Sequence, residues 1–113
     1  MKLIKAYIRY RKTEEVYNAL RDAGFCCMTF VECEGTGRYS DKEKEHLSEK
    51  YPFAEAYRVI KLEILVADEH QNHLISLIRE NARTGYQGDG MILVSSVEEA
   101  YKIRNDDKGI MAI

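Results

Sequence analysis

Hydrophobic and polar positions alternate from the first residues of the chain. Ile4, Ala6 and Ile8 fall on one face, while Lys5, Tyr7 and Arg9 fall on the other. A period of two is that of a β-strand with one face on a core. The period then lengthens: Val16, Ala19, Leu20 and Ala23 recur at helical spacing, with Glu14 and Glu15 in the first turn, where carboxylates suit the helix dipole. Thr13 is the expected N-cap of this helix, and Gly24 closes it. Phe25 to Glu34, rich in aromatic and β-branched residues, reads as a second strand ending at Gly35-Thr36-Gly37. A third strand is expected from Tyr57 to Val66, alternating and then continuously apolar. Asp68 is placed to cap a second helix, with Gln71 completing a capping box, and Leu74, Leu77, Ile78 and Ala82 form its buried stripe. A fourth strand, Met91 to Ser95, precedes a short helix around Glu98 to Tyr101 and a tail that ends apolar.

The order βαββαβ predicts an α+β fold of the ferredoxin-like kind, four antiparallel strands with both helices on one face, followed by a short C-terminal helix and tail. The other sheet face carries Lys5, Tyr7 and Arg9, too polar for a core and too aromatic for an idle surface. That mixture points to packing against further copies of the chain. Between the second and third strands, residues 38 to 57 show no sustained period, DKEKEHLSEK is mostly charge, and Pro52 breaks any helix. A loop of about twenty residues inside a small domain is commonly functional or solvated. Composition leaves both readings open.

The second helix and fourth strand are joined within Ala82 to Val94, ARTGYQGDGMILV. Gly85 is expected to take the left-handed conformation at the helix end. Gly88-Asp89-Gly90 lets the backbone turn tightly and approach another molecule, and successive N–H groups in such turns make anion-binding concavities. The stretch has neither the GxGxxG spacing nor the Lys-Ser/Thr of a P-loop. On these residues alone, an ordinary helix-to-strand turn is the favoured reading.

Composition narrows the class. The 113 residues make one domain, 1–113, with 45% hydrophobic and 32% charged positions. A net charge of -2 without a basic stripe argues against nucleic acid as a partner. No apolar run approaches the roughly 20 residues that cross a bilayer, and MKLIKAYIRY is no signal peptide. A cytoplasmic protein, not itself membrane-inserted, is expected. Cys26, Cys27 and Cys33 match no disulfide framework and no zinc spacing. They are expected as reduced cysteines packed in a strand, with Cys26 and Cys27 on opposite faces. His70 and His73 form a His-x-x-His pair without an evident third ligand, and His46 lies in the loop; surface histidines are expected and no metal site.

Several stretches, taken together and in order, resemble the PII signal-transduction family. They are MKLIKAYIR at the start, Cys27-Met28-Thr29, GTGR at 35 to 38, IKLEILVAD at 60 to 68, TGYQGDGMILV at 84 to 94, VEEAYKIR at 97 to 104, and the closing AI. The resemblance implies a homotrimer of ferredoxin-like subunits with adenine nucleotide bound in the clefts between neighbours. It implies that 38–57 is the family's T-loop, which docks on a target protein, a metabolic enzyme or a membrane transporter among the candidates, in nitrogen-related regulation. It also implies a nucleotide pocket. Gly35, Thr36, Gly37 and Arg38 match its loop base, and Gly88, Asp89, Gly90 and Met91 its phosphate-side turn. Met28, Thr29, Glu63, Ile64 and Leu65 match the surroundings of the base, and Lys102 and Arg104 two phosphate-binding arginines, these from the adjacent subunit. ATP or ADP is the expected effector, with AMP a further candidate.

The departures matter equally. Met91 stands where the family usually has a lysine that reaches the phosphates, and it can neither donate a hydrogen bond nor carry charge. Tyr39 replaces a glutamine that helps hold magnesium and 2-oxoglutarate, and the nearest cation to the family's 2-oxoglutarate lysine is Arg58. The magnesium site is thereby left open and 2-oxoglutarate sensing put in doubt. Tyr51 is the candidate for modification where many bacterial members are uridylylated, but SEKYPF does not match the usual context. No catalytic residues are assigned: no Ser/His/Asp or Cys/His set appears, and only Asp89 offers a carboxylate beside the turn. Three readings remain: a nucleotide-responsive regulator, an interaction module with a decayed site, and a small nucleotide-using enzyme.

Overall fold

The computed structural model describes residues 1–36 and 58–113. Its strands are β1 (Lys2–Arg9), β2 (Thr29–Glu34), β3 (Arg58–Val66) and β4 (Met91–Ser96), and its α-helices α1 (Thr13–Asp22) and α2 (Gln71–Ala82). They form one antiparallel sheet in the order β2-β3-β1-β4, which is the ferredoxin-like arrangement. The expected T-loop, 38–57 with Arg38, Tyr39, His46, Tyr51, Pro52 and Tyr57, lies outside the described residues, as does Gly37.

The period-two pattern of β1 sets which face is buried. Ile4, Ala6 and Ile8 pack with Ile60, Leu62, Ile64 and Val66 of β3 beneath Val16 and Leu20 of α1 and Leu74, Ile78 and Ala82 of α2. Burying one such large aliphatic side chain stabilises by about 1.5–3 kcal/mol. Leu77 joins the core at its rim, as its helical spacing predicts, whereas Ala23 is exposed beyond the end of α1. On the open face the register aligns Val31, Lys61, Tyr7 and Met91 in one row and Thr29, Glu63, Lys5 and Leu93 in the next.

The helix starts differ from expectation. Thr13 is already helical, and its hydroxyl donates to the Tyr10 carbonyl (2.7 Å) instead of capping N–H groups. Asp68 opens a single 3-10 turn ahead of α2 and binds the N-terminal ammonium of Met1 at 2.9 Å. A charge partner outside the helix has displaced the capping role. Gly24 closes α1 at φ +91°, the left-handed conformation that the sequence requires.

Two further expectations are corrected. The second strand starts at Thr29, not Phe25, so Cys26 and Cys27 are exposed in a turn and their sulfurs approach to 3.2 Å. They do not point to opposite faces, because Cys27 takes φ +64° and breaks the pleat. No helix forms at 98–101. Tyr101 instead bridges to Lys108, Gly109 N–H donates to the Ala100 carbonyl, and the short C-terminal helix is the 3-10 segment Gly109–Ala112.

Gly90 marks the tightest point of the sheet edge. At φ +104° its α-carbon lies against β1 so closely that a β-carbon there would collide with the Tyr7 carbonyl. The clash is with backbone, which cannot rotate away. Gly90→Ala combines this overlap with left-handed strain, and a loss of about 3 kcal/mol is expected. Urea unfolding followed by circular dichroism measures it.

Candidate functional site

The chain between α2 and β4 is organised by one side chain. Asp89 Oδ2 accepts the backbone N–H groups of Thr84 and Gly85, both at 2.8 Å. Its Oδ1 accepts the Thr84 hydroxyl and, at 3.0 Å, Nε of Arg9 from the end of β1. Thr84 Oγ1 accepts the Tyr86 N–H in turn (3.2 Å), and Arg9 Nη2 donates to the Gln87 carbonyl at 2.6 Å. A carboxylate offers about four acceptor positions, and four donors meet this one. Burial pushes the Asp89 carboxyl up, but the bonds from Thr84, Gly85 and Arg9 outweigh that and hold it well below the usual carboxylate range.

The glycines complete the turn. Gly85 (φ +88°) and Gly88 (φ +94°) take the conformation that Asp89 imposes. Gly85 does not cap α2, which ends at Ala82 with Arg83 already extended. A β-carbon at Gly88 would come within 3.3 Å of the Arg9 guanidinium. Beside the turn lies a cavity of about 390 Å3 between α2 and the sheet edge, lined by Asp89, Gly90 and Met91 together with Tyr7, Arg79 and Arg83. Met91 is 63% exposed opposite Tyr7.

The residues assigned by resemblance fall into separate groups. Gly88, Asp89 and Gly90 lead directly into Met91, the first residue of β4. Thr29 pairs directly with Glu63 across β2 and β3, with Met28 just before it and Leu65 two residues along on the same face. Ile64 points the other way and is 2% exposed in the core, so only its backbone is available to a ligand. Gly35 and Thr36 follow β2, Gly35 facing Val59. Lys102 and Arg104 are exposed in the loop closed by the Tyr101–Lys108 bridge, not in a strand. Thr29 and Met91 stand on opposite edge strands, three strand spacings across and two residues along, roughly 16 Å apart.

Other groups are already engaged. Arg58 lies 4.0 Å over the Tyr10 ring and donates to Glu32 at 2.6 Å. His70 and His73 flank the Phe25 ring at 6.1 and 5.7 Å between centroids, and no cluster of three or more metal-ligating side chains occurs among the described residues. Arg9, Thr84, Arg79 and Arg83 escaped the sequence reading. The i, i+4 spacing of Arg79 and Arg83 at the end of a helix was the one local signal available.

Comparison with known proteins settles the kinship. The family model described as nitrogen regulatory protein P-II matches residues 1–107. The chain belongs to the P-II family. It is 37% identical over 113 residues to the nitrogen regulatory protein P-II of Rhizobium meliloti (strain 1021), with all of both chains covered. It is 38% identical to nitrogen regulatory protein P-II 2 of Methanothermobacter thermautotrophicus (strain Delta H), covering 100% of this chain and 97% of the relative. With the nifHD-region GlnB-like protein 1 of Methanothermobacter marburgensis it shares 37% identity, over 97% of this chain and 100% of that protein. P-II proteins are signal-transduction regulators, not enzymes, and act through partner proteins. No helix among the described residues of this P-II chain is long and apolar enough to cross a membrane.

The saturation of Asp89 yields a pH signature. Its folded pKa lies below the unfolded value near 4, so its contribution is complete above that value and is lost as pH falls toward the folded one. Asp89→Asn is expected to cost about 2 kcal/mol at pH 7. The gap to the wild type should narrow below about pH 4, which urea titrations across pH will measure.

Proposed function

We propose that this P-II chain is a homotrimeric regulator that binds an adenine nucleotide in the clefts between subunits and controls a target protein through residues 38–57. The observation that carries the reading is the Asp89-centred turn. It holds a loop in which Gly88 and Gly90 are exposed at positive φ, at a sheet edge beside a cavity. Backbone donors held rigid before binding lose little entropy to an anionic ligand. The separation of Met28, Thr29, Lys102 and Arg104 from that turn supports a site built from two chains, each giving one half. Tyr7, Met91 and Leu93 on the uncovered sheet face supply apolar area for such an assembly.

Met91 favours a second reading, an interaction module with a decayed nucleotide site, because the exposed side chain at the turn carries no charge. Calorimetry with ATP, ADP and AMP separates the two: binding supports the regulator, and silence toward all three supports the module. Light scattering tests the trimer, which a stable monomer at micromolar concentration would contradict.

Within this reading Arg104 contacts the outer phosphates. A charge-assisted hydrogen bond is worth about 1.5–3 kcal/mol, so Arg104→Ala should weaken ATP roughly tenfold or more and AMP much less. Equal losses would remove Arg104 from the outer phosphates.

The regulator answers to nucleotide and not to 2-oxoglutarate. Tyr39 and Met91 replace the polar partners through which the oxo-acid and ATP would share a magnesium ion, and Arg58 is engaged by Glu32 and Tyr10. Linkage requires any coupling to be mutual. ATP isotherms at saturating magnesium should therefore superimpose with and without millimolar 2-oxoglutarate, and a tighter isotherm would show that the two ligands are coupled.

A further inference from the structure

Cys26 and Cys27 occupy the turn between α1 and β2, apart from the Asp89 turn. Cys27, at φ +64°, is the one non-glycine residue with positive φ among the described residues. A side chain there crowds the following carbonyl, a strain glycine would avoid. Strain of this kind collects where a side chain is needed in place. Its result is that two adjacent thiols, both exposed, lie on the same side with their sulfurs 3.2 Å apart.

That separation discriminates among the things two sulfurs can bind. A single centre bonded to both at about 2.3 Å, the zinc–thiolate length, would subtend an angle of about 90°. Tetrahedral zinc needs the sulfurs about 3.8 Å apart, and a linear two-coordinate ion about 4.6 Å. A direct disulfide needs about 2.05 Å between residues whose Cα atoms are about 3.8 Å apart, below the usual 4.4–6.8 Å span. Near-right angles suit three-coordinate pyramidal centres that bond through p orbitals and keep a lone pair; square-planar and octahedral ions share the angle but need further ligands, and no cluster of three or more metal-ligating side chains occurs among the described residues.

We propose that Cys26 and Cys27 form a two-sulfur chelating site for trivalent arsenicals of the monosubstituted class. In the reaction an arsenous group R–As(OH)2 meets two thiols. Each sulfur replaces one hydroxide on arsenic, and each departing hydroxide leaves with a thiol proton as water. Two As–O and two S–H bonds break, two As–S and two O–H bonds form, and arsenic stays trivalent, so no oxidant is required. The hydrogen bond with the Cys27 sulfur, with the Cys27 charge and burial adding to it, holds the Cys26 thiol above its ordinary range.

The test is titration of the full-length chain with phenylarsine oxide, followed by intact mass and by counting free thiols. One phenylarsenic group per chain is expected, consuming two thiols and released by a 1,2-dithiol but not by an equal concentration of monothiol. A second bond formed within a chelate raises affinity by about 10²–10⁴. Cys26→Ser and Cys27→Gly should each weaken binding roughly a hundredfold or more, and Cys33→Ser should leave it unchanged. Cys27→Gly suits the left-handed backbone, so its loss of binding reads the missing sulfur and not a disturbed fold. Binding by either single variant as tight as the wild type, or dependence on Cys33, would overturn the proposal.

Discussion

The carboxylate of Asp89 is where the end of α2, the start of β4 and the end of β1 meet. Four donors converge on two oxygens, from Thr84, Gly85 and Arg9. Without that hub, three glycines at positive φ between Gly85 and Gly90 would leave the connection a floppy segment, since glycine surrenders the most backbone entropy on ordering. With it, the turn is fixed against Arg9, and Gly90 sits where no larger residue fits. The same bonds settle what Asp89 does. Its acceptors are occupied within the chain, so it shapes the turn in which Gly88 and Gly90 are exposed.

In the proposed reading, a site at such a turn is half of a site. The uncovered sheet face carries Lys5 and Lys61 around Glu63, at 4.0 and 3.5 Å, beside Tyr7 and Leu93. Exposed pairs of this kind contribute little to stability on their own. Its aromatic and aliphatic residues suit this face to burial against another copy, although the two cations share a single carboxylate. The opposite edge, β2, presents Thr29, while Met28 just ahead of it is partly buried against the core. Membership of the P-II family, a family of regulators, agrees with a protein that presents surfaces and backbone turns.

Much of this was legible in the sequence where the signal is periodic. Ile4, Ala6 and Ile8 mark the buried face because a strand repeats every two residues, and Leu74, Ile78 and Ala82 mark the buried stripe of α2 because a helix repeats every 3.6. What was hidden is contact across the chain. Asp89 looked like part of a ligand-facing turn, and its partner Arg9 is 80 residues away. Thr13 and Asp68 looked like caps, but a nearby carbonyl and the N-terminal ammonium took their side chains. Cys26 and Cys27 looked like strand neighbours on opposite faces, and a single left-handed residue, invisible to composition, put their sulfurs together.

The central claim is that the Asp89-fixed turn offers the backbone of Gly88 and Gly90 to an adenine nucleotide. The chain has only seven glycines, whose amide resonances fall in a sparse region of a 15N–1H spectrum and can be assigned individually. Titrating labelled protein with ATP tests the claim directly. Gly88 and Gly90 amides should shift among the most strongly in the molecule, and AMP should move them less. Saturation with ATP that leaves both resonances in place, while others move, would contradict the account.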